Sequence, residues 1–352
     1  MQVLLGVFYH FIGGFSSGSF YLPYKNVRDW SWESYWIVGG LFSWLIAPWI
    51  AATLTIPEYR QIIADTPFHT LFWTYIMGLL WGVGGLTFGL SMRYLGLSLG
   101  MSVVLGFCSA FGALIPPLYR DLNALQGETI TAMWHGSGGQ LVLLGVLVCL
   151  VGIAICGRAG MLKERELSAA EKTAVIKEFN LTLGLVVATL SGILSACFNF
   201  GIEAGHSMAQ LAVARGSNPL FQNNVIFVVL LWGGLTTNFL WCMVLNFRNR
   251  SFGDYRNGRT PLLGNYLFSA LAGTVWFLQF FFYGMGASKL SNGASSWILH
   301  MAFIILVANF WGILLKEWRG VGRRTLGVVL VGIATILISV FLVGYGNSLL
   351  TR

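Results

Sequence analysis

Ten long apolar segments constrain the fold of this chain more than any other feature. A helix needs about 20 mostly apolar residues to cross the hydrocarbon core of a bilayer. The segments that meet this length cover residues 2–21, 34–54, 70–90, 95–117, 140–157, 181–203, 223–246, 263–286, 293–315 and 325–346. Strands of a membrane barrel would instead alternate over about ten residues, which these segments do not do. The sequence predicts an all-α integral membrane protein with ten transmembrane helices.

The charge content agrees with a lipid-solvated surface. Only 10% of the residues are charged, against about 25% in soluble domains. The net charge of +8 comes from short basic clusters between apolar segments, and no basic stripe interleaves with aromatic residues. We therefore expect the lipid bilayer, and not nucleic acid, as the partner of this surface. The first segment lacks a basic start and a small-residue cleavage site, so we interpret it as a membrane helix and not as a signal peptide.

The basic residues are divided unequally between the two sides of the membrane. With ten helices, sixteen of the 21 Lys and Arg residues fall in the connections on one side, which includes the stretch between the fifth and sixth helices. Cytoplasmic loops carry an excess of Lys and Arg. The asymmetry predicts that this side is cytoplasmic and that both termini lie on the outer side of the membrane.

An internal repeat relates the first five helices to the last five. Glycine, serine and aromatic residues recur at a constant offset in corresponding helices. The matched sets are Gly6, Gly14, Ser17 and Phe20 with Gly184, Gly192, Ser195 and Phe198, and Gly78, Trp81 and Gly89 with Gly273, Trp276 and Gly284. The segments LSLGMS and LSNGAS open the fourth and ninth helices, and LVGIA occurs in both the fifth and the tenth.

A repeat unit of five helices fixes the topology of the two copies. Because five is odd, the second copy enters the membrane from the opposite face. The predicted domains are a first five-helix repeat over residues 1–157, a cytoplasmic linker over 158–180 and a second five-helix repeat over 181–352. Inverted repeats of this kind are typical of alternating-access carriers, whose substrate site lies near the midplane between the halves.

Few ionisable residues lie inside the predicted helices, and such residues are functional hypotheses by default. His10 lies in the first helix and His300 in the ninth, each roughly 10–14 Å from the outer face at about 1.5 Å per residue. Either histidine could bind a proton near neutral pH, or each could simply bond a neighbouring helix. Glu33 is a further proton-coupling candidate, although Ser31 and Glu33 also fit the start of a helix, where Ser31 would cap and Glu33 would lie at the positive end of the helix dipole.

Aromatic and amide side chains supply candidate sugar-binding residues. Sugars stack their C–H faces on aromatic rings and need hydrogen-bonding partners for their hydroxyls. Gln279 and Trp276 lie three residues apart, so they share one face of the eighth helix. We take as substrate-binding candidates Gln279, Trp276, Tyr283, Trp81 and Tyr21. Each aromatic ring could alternatively serve packing or face lipid.

Motifs of enzymes are absent from the sequence. HExxH, GxSxG and P-loop patterns do not occur, and no acids pair deep within a helix. Asp121 with Glu128 in an outer loop is the nearest acidic pair, and we interpret Glu203 with His206 as a solvated pair at a helix end. We therefore predict no enzyme activity, no catalytic residues, no cofactor and no metal. The enzyme alternative, a membrane-embedded transferase, would need such acids for metal or base chemistry.

Several long motifs carry a resemblance that covers nearly the whole chain. They are FYLPYKNVRDWSWE (20–33), MRYLGLSLG (92–100), GRAGMLKER (157–165), EFNL (178–181), WFLQFFFYG (276–284), SWILHMAF (296–303), LLKEW (314–318) and GRR (322–324). With these motifs the chain resembles the L-rhamnose–proton symporter family of the drug/metabolite transporter superfamily. This chain has Gly293 where we expect the family to carry an acidic residue.

The resemblance implies proton-coupled import of L-rhamnose or a related deoxy sugar by a multi-pass protein of the bacterial inner membrane, whose outer side, with both termini, would be periplasmic. Its partners would be a small sugar, a proton and the lipid bilayer, and the sequence leaves the oligomeric state open. The alternative within the same fold is a uniporter or exporter of another small metabolite. An exporter of cationic drugs is disfavoured because the first helix carries no acid that could exchange protons for cations.

Overall fold

A computed structural model describes residues 1–95, 97–125, 127–166, 180–290, 292–314 and 321–350. The described residues contain ten helices long and apolar enough to cross a membrane and no strand, which confirms the predicted fold class. The helices are α1 Gln2–Ser19, α2 Trp32–Thr55, α3 Phe68–Leu95, α4 Leu97–Leu122, α5 Ser137–Glu166, α6 Leu181–Ala204, α7 Asn224–Asn249, α8 Leu262–Ala287, α9 Gly293–Leu314 and α10 Arg323–Leu350.

The helix boundaries differ from the predicted ones in a few places. Helix α5 continues through Glu166, so the first part of the predicted linker is helical; residues 167–179 lie outside the described residues. One π-helical turn, Phe42–Ile46, interrupts α2. Three short helices, Tyr59–Asp65, Ile130–His135 and His206–Ala214, lie in connections on one face of the bundle. We call this face, where α1 begins and α10 ends, the terminal face, and the opposite face the linker face.

The two halves exchange helices instead of packing as separate bundles. Helix α1 packs against α8 and α9, and α6 packs against α3 and α4. In the same way, α2 contacts α8 and α3 contacts α7, while α5 pairs with α10. Each contact has a counterpart in which every helix is replaced by the corresponding helix of the other half. Thus α1–α8 corresponds to α6–α3, and α2–α8 corresponds to α7–α3, as a two-fold relation between the halves requires. The inverted repeat itself stays a prediction.

The matched glycines Gly78 and Gly273 lie at the closest helix crossings. A Cβ added to Gly78 would clash with the carbonyl oxygen of Leu230 on α7, and one added to Gly273 would clash with the carbonyl oxygen of Gly39 on α2. Small residues allow membrane helices to approach closely where no hydrophobic force acts between them. At both positions the neighbouring backbone is too close to leave room for a side chain, so glycine is required there.

Gly78→Ala is expected to destabilise the protein, whereas Gly85→Ala on the same helix is expected to be neutral. The Gly78 variant must push α3 away from α7, and overpacking of this kind costs about 1–3 kcal/mol or more. A Cβ at Gly85 would meet no atom within 4 Å. Thermal unfolding of the purified variants in detergent measures the difference. Equal stabilities for the two variants would contradict the close crossing.

Candidate substrate and proton site

Two histidines from different halves meet inside the bundle. The ring centroids of His10 on α1 and His300 on α9 lie 5.9 Å apart, with the planes at 63°. Tyr283 on α8 completes the group, at 5.4 Å from His10 and 5.2 Å from His300. All three side chains are buried. The sequence could place each histidine at a similar depth but could not show that they face each other.

The two imidazole rings are packed against glycines, and three of their nitrogens have no hydrogen-bond partner among the described residues. Both nitrogens of His10 and the Nδ1 of His300 are buried without a hydrogen bond. Glycines make the space, since a Cβ on Gly286 would lie 2.7 Å from His10 Nε2 and one on Gly13 would lie 3.0 Å from His300 Cε1. Buried polar atoms without partners are costly. Such atoms are suited to bind a proton, water or a substrate hydroxyl when the site opens.

Asn199 on α6 is a polar residue of this site that the sequence analysis missed. Its Oδ1 accepts a hydrogen bond from the Tyr283 hydroxyl at 3.1 Å, and its Nδ2 donates to the Gly112 carbonyl at 2.8 Å. Trp297 lies 5.9 Å from Tyr283 and donates its indole N–H to the Cys108 carbonyl. Together His10, Tyr283, His300, Asn199 and Trp297 form what we call the histidine cluster. The cluster draws on α1, α6, α8 and α9.

An aromatic cluster lies next to it, around Trp276. The Trp276 ring stacks on Phe20 at 4.6 Å, and Trp36 and Trp44 lie 5.2 Å from it. Trp81 on α3 is 6.3 Å away. Because Phe20 already covers one face of Trp276, a sugar could stack on that face only after the rings separate. The structure therefore describes a closed arrangement of these rings.

Helix α8 joins the two clusters. Trp276, Phe280 and Tyr283 follow each other at spacings of four and three residues, so they line one side of the helix. Phe280 contacts Trp81 and Phe198. Gln279 is buried on this helix and hydrogen-bonds no other described residue, and its backbone carbonyl faces Gly13 of α1. Gln279 is thus a candidate ligand contact on the helix that joins the two clusters.

Tyr21 lies apart from the histidine cluster. It is 47% exposed and contacts Phe20 and Trp36 at the linker-face edge of the aromatic cluster. Trp81 is partly buried at the centre of that cluster. The structure thus brings Gln279, Trp276, Tyr283 and Trp81 to one region and leaves Tyr21 at its rim.

Ser31 is at the N-cap position of α2 and Glu33 is in its first turn, as predicted, but the Ser31 side chain makes no capping hydrogen bond. Asp254, from the loop after α7, accepts hydrogen bonds from the backbone N–H of Ser31 and from the side-chain hydroxyl of Ser34. Glu33 is buried and instead accepts from Asn249 at 3.0 Å and from Ser251 at 2.6 Å. Glu33 therefore connects α2 to the end of α7 on the linker face. It makes no hydrogen bond to either histidine of the cluster.

Acidic and basic residues meet at the terminal face above the histidine cluster. The Glu128 carboxylate accepts backbone hydrogen bonds from Gly293 at 2.6 Å and Ala294 at 3.3 Å, at the start of α9. Arg120 at the end of α4 forms an ion pair with Glu203 at the end of α6. The predicted pairing of Glu203 with His206 is therefore replaced by a bond to another helix.

A separate open cavity lies away from the histidine cluster. It is a largely apolar crevice of about 280 Å³ between α4 and α5, with Phe107 and Ile153 in its walls and Arg158 at its linker-face end. A sugar needs several hydrogen-bonding partners, and apart from Arg158 the side chains that line this crevice are apolar. The buried histidine cluster, and not this crevice, has the chemistry of a polar substrate site.

Comparison with known proteins agrees with the resemblance read from the motifs. A family model described as L-rhamnose-proton symport protein matches residues 1–349. The L-rhamnose-proton symporter of Cronobacter sakazakii is 38% identical over 351 residues, which cover 98% of each chain. The proteins of the same name from Salmonella paratyphi B and Salmonella newport are 37% identical over 351 residues, with the same coverage.

Proposed function

This chain belongs to the family of L-rhamnose-proton symport proteins, and we propose on that basis that it imports L-rhamnose or a related deoxy sugar together with a proton. The observation that carries the proposal is the full-length family match. The buried histidine cluster beside a ring of aromatic side chains supports it, since these residues have the chemistry that a proton and a sugar require. The protein is a transporter and not an enzyme.

The proposed mechanism is alternating access between two inverted five-helix repeats, residues 1–157 and 181–352. The exchanged helix contacts support this division, because α1 lies among helices of the second half and α6 among helices of the first. Opening the terminal face would separate α1, α8 and α9 from α4 and α6. Opening the linker face would separate the rings around Trp276.

In the proposed site, Gln279 bonds sugar hydroxyls, and Trp276 and Trp81 offer ring faces once Phe20 moves away. Tyr283 supplies a further hydroxyl, and Tyr21 lines the path at the linker face. His10 and His300 are the proposed proton-coupling residues. Their unpartnered nitrogens support this role, and Glu33 is the next candidate.

Counterflow tests the substrate. Proteoliposomes loaded with each member of a sugar panel are diluted into trace labelled L-rhamnose. We expect transient accumulation of label when the lumen holds L-rhamnose or a close deoxy sugar, and none with unrelated hexoses. Accumulation with every hexose, or with none, would contradict the proposed substrate.

We propose that the terminal face is periplasmic in the bacterial inner membrane. Sixteen of the 21 basic residues support this orientation, because they lie in connections on the other side. Four of the sixteen, Lys172, Lys177, Lys316 and Arg319, lie outside the described residues, as does Arg352 on the terminal side. A tag placed after residue 352 is expected to react with an impermeant reagent in spheroplasts with intact membranes. Labelling only after permeabilisation would contradict the orientation, and a tag between residues 167 and 179 is the opposite control.

A further inference from the structure

We propose that the crevice between α4 and α5 binds an anionic phospholipid of the leaflet on the linker-face side, with one acyl chain in the crevice and the phosphate at Arg158. The inference goes beyond the proposed sugar transport, because it concerns the outer surface of the bundle. It does not depend on which side of the membrane the linker face occupies.

The crevice opens on the lipid-exposed face of α5. Leu147 and Val151 are exposed on this helix, and Ala154, which lines the crevice, is exposed as well. Spacings of four and three residues place these side chains on one face of a helix. Large apolar side chains that are exposed on a membrane-spanning helix contact lipid tails. A lipid chain therefore has direct access to the crevice.

The length of the crevice matches the thickness of one leaflet. Its α5 wall extends from Leu150, near the middle of that helix, to Met161 towards the linker face, which is about 16 Å at 1.5 Å per residue. Half of the hydrocarbon core of a bilayer is about 15 Å thick. On the antiparallel α4, the wall extends from Val103 on the linker side to Ala110. A chain that hangs from a headgroup at the linker face would thus lie along the whole crevice.

Small residues serve different purposes on the two sides of α5. Towards α10 they allow close packing, since a Cβ on Gly145 would lie 2.5 Å from Val343 and one on Gly152 would lie 2.7 Å from Ile336. Towards α4 they leave space. A Cβ on Gly106 would meet only Ile153 of α5, at the ordinary contact distance of 3.5 Å. The gap at Gly106 is therefore wider than helix packing requires, and an acyl chain fits its apolar walls.

Arg158 gives this apolar crevice a positive end. It is exposed and forms no hydrogen bond or ion pair with any residue in the described part of the chain. The Glu166 carboxylate, about two turns further along α5, is held instead by the backbone N–H of Gly322 and the hydroxyl of Thr325. A guanidinium presents a planar fork of donors that matches phosphate oxygens. Arg158 is therefore free to bind a lipid phosphate at the edge of the hydrocarbon.

The charge around Arg158 favours a headgroup with a net negative charge. Arg165 is also exposed and follows Arg158 by seven residues, so both lie on one face of α5, about 10 Å apart along its axis. Basic residues near the membrane surface attract anionic lipids. Phosphatidylglycerol should thus bind more tightly than a zwitterionic lipid with the same chains.

Photolabelling locates the bound chain. The full-length protein in phosphatidylcholine nanodiscs receives trace phosphatidylglycerol with a diazirine in one acyl chain, and mass spectrometry maps the labelled peptides. We expect labelling concentrated at residues 103–110 and 150–154, and competed by unlabelled phosphatidylglycerol but not by phosphatidylcholine. Labelling spread evenly over the exposed faces of α7 and α8 would overturn the proposal. So would a disulfide between two copies of an Ala154→Cys variant together with absence of label, because a second chain would then occupy the crevice.

Headgroup variants test the role of Arg158. Native mass spectrometry titrates phosphatidylglycerol and phosphatidylcholine with identical chains onto the purified protein. The wild type should prefer phosphatidylglycerol by about fivefold or more, Arg158→Lys should keep most of this preference and Arg158→Gln should lose it. Arg248→Gln, at an exposed position near the linker-face end of α7, is the matched control and should keep it. Equal binding of the two lipids by the wild type, or equal loss in the control, would contradict the assignment.

A filled crevice tests the role of the chain. Gly106→Leu directs a side chain across the gap towards Ile153 and should abolish the labelling and weaken both lipids. Gly327→Leu, at an exposed glycine of α10 whose added Cβ would meet no atom within 4 Å, is the matched control and should change neither. Unchanged labelling in a folded Gly106→Leu variant would refute binding in the crevice. Because no sugar is present, failure here is distinct from failure of L-rhamnose counterflow.

Discussion

At least one of the variants His10→Gln and His300→Gln is expected to lose proton-driven accumulation of sugar and keep sugar exchange. Glutamine retains hydrogen-bonding atoms at the ring positions, which lie 5.9 Å apart in the wild type, but it cannot take up a proton. Histidine titrates near neutral pH when water reaches it. The accumulated sugar should therefore fall to about the external level in pH-driven uptake, while counterflow at equal pH continues.

His206→Gln is the matched control for the histidine variants. His206 is exposed at the start of the short helix His206–Ala214 on the terminal face, so its replacement should leave accumulation unchanged. Normal pH-driven accumulation in both cluster variants would refute the histidine mechanism. Glu33, which is buried between α2 and α7, would then be the first residue to replace with glutamine.

Gln279→Ala is expected to weaken sugar binding by about 1–3 kcal/mol, which corresponds to roughly 5- to 150-fold in the dissociation constant. The buried amide hydrogen-bonds no other described residue, so its loss removes a ligand contact without breaking a protein one. Equilibrium binding of labelled L-rhamnose to the purified protein measures the effect. Gln210→Ala, at an exposed position, should bind normally. Unchanged affinity in Gln279→Ala would exclude Gln279 from the sugar site.

Sequence patterns predicted the helices well because hydrophobic length alone determines which segments cross a bilayer. The same reasoning identified His10 and His300, since an ionisable residue inside a membrane helix is rare. The π-helical turn at Phe42–Ile46 lies within a continuously apolar segment, where the sequence shows no change of hydrophobic pattern that would indicate it. It could not be found from hydropathy.

Contacts between distant parts of the chain account for the errors. Ser31 is the N-cap residue of α2, but its side chain makes no capping hydrogen bond, and its backbone N–H donates to Asp254, which is 223 positions away. Asn199 is one polar residue near the end of an apolar helix, and its importance becomes visible only through Tyr283 and Gly112. Likewise, Glu128 reads as a solvated loop acid until the fold places it against Gly293. Local patterns carry no information on such pairs.

The most direct test of the central claim is proton movement caused by the sugar. Proteoliposomes with a pH-sensitive dye in the lumen and no initial gradients receive L-rhamnose on the outside, with the protein oriented so that the terminal face is external. Coupled import predicts that the lumen acidifies as labelled L-rhamnose enters, and that His10→Gln or His300→Gln abolishes the acidification. Sugar entry without a change in luminal pH, or with alkalinisation, would contradict proton symport.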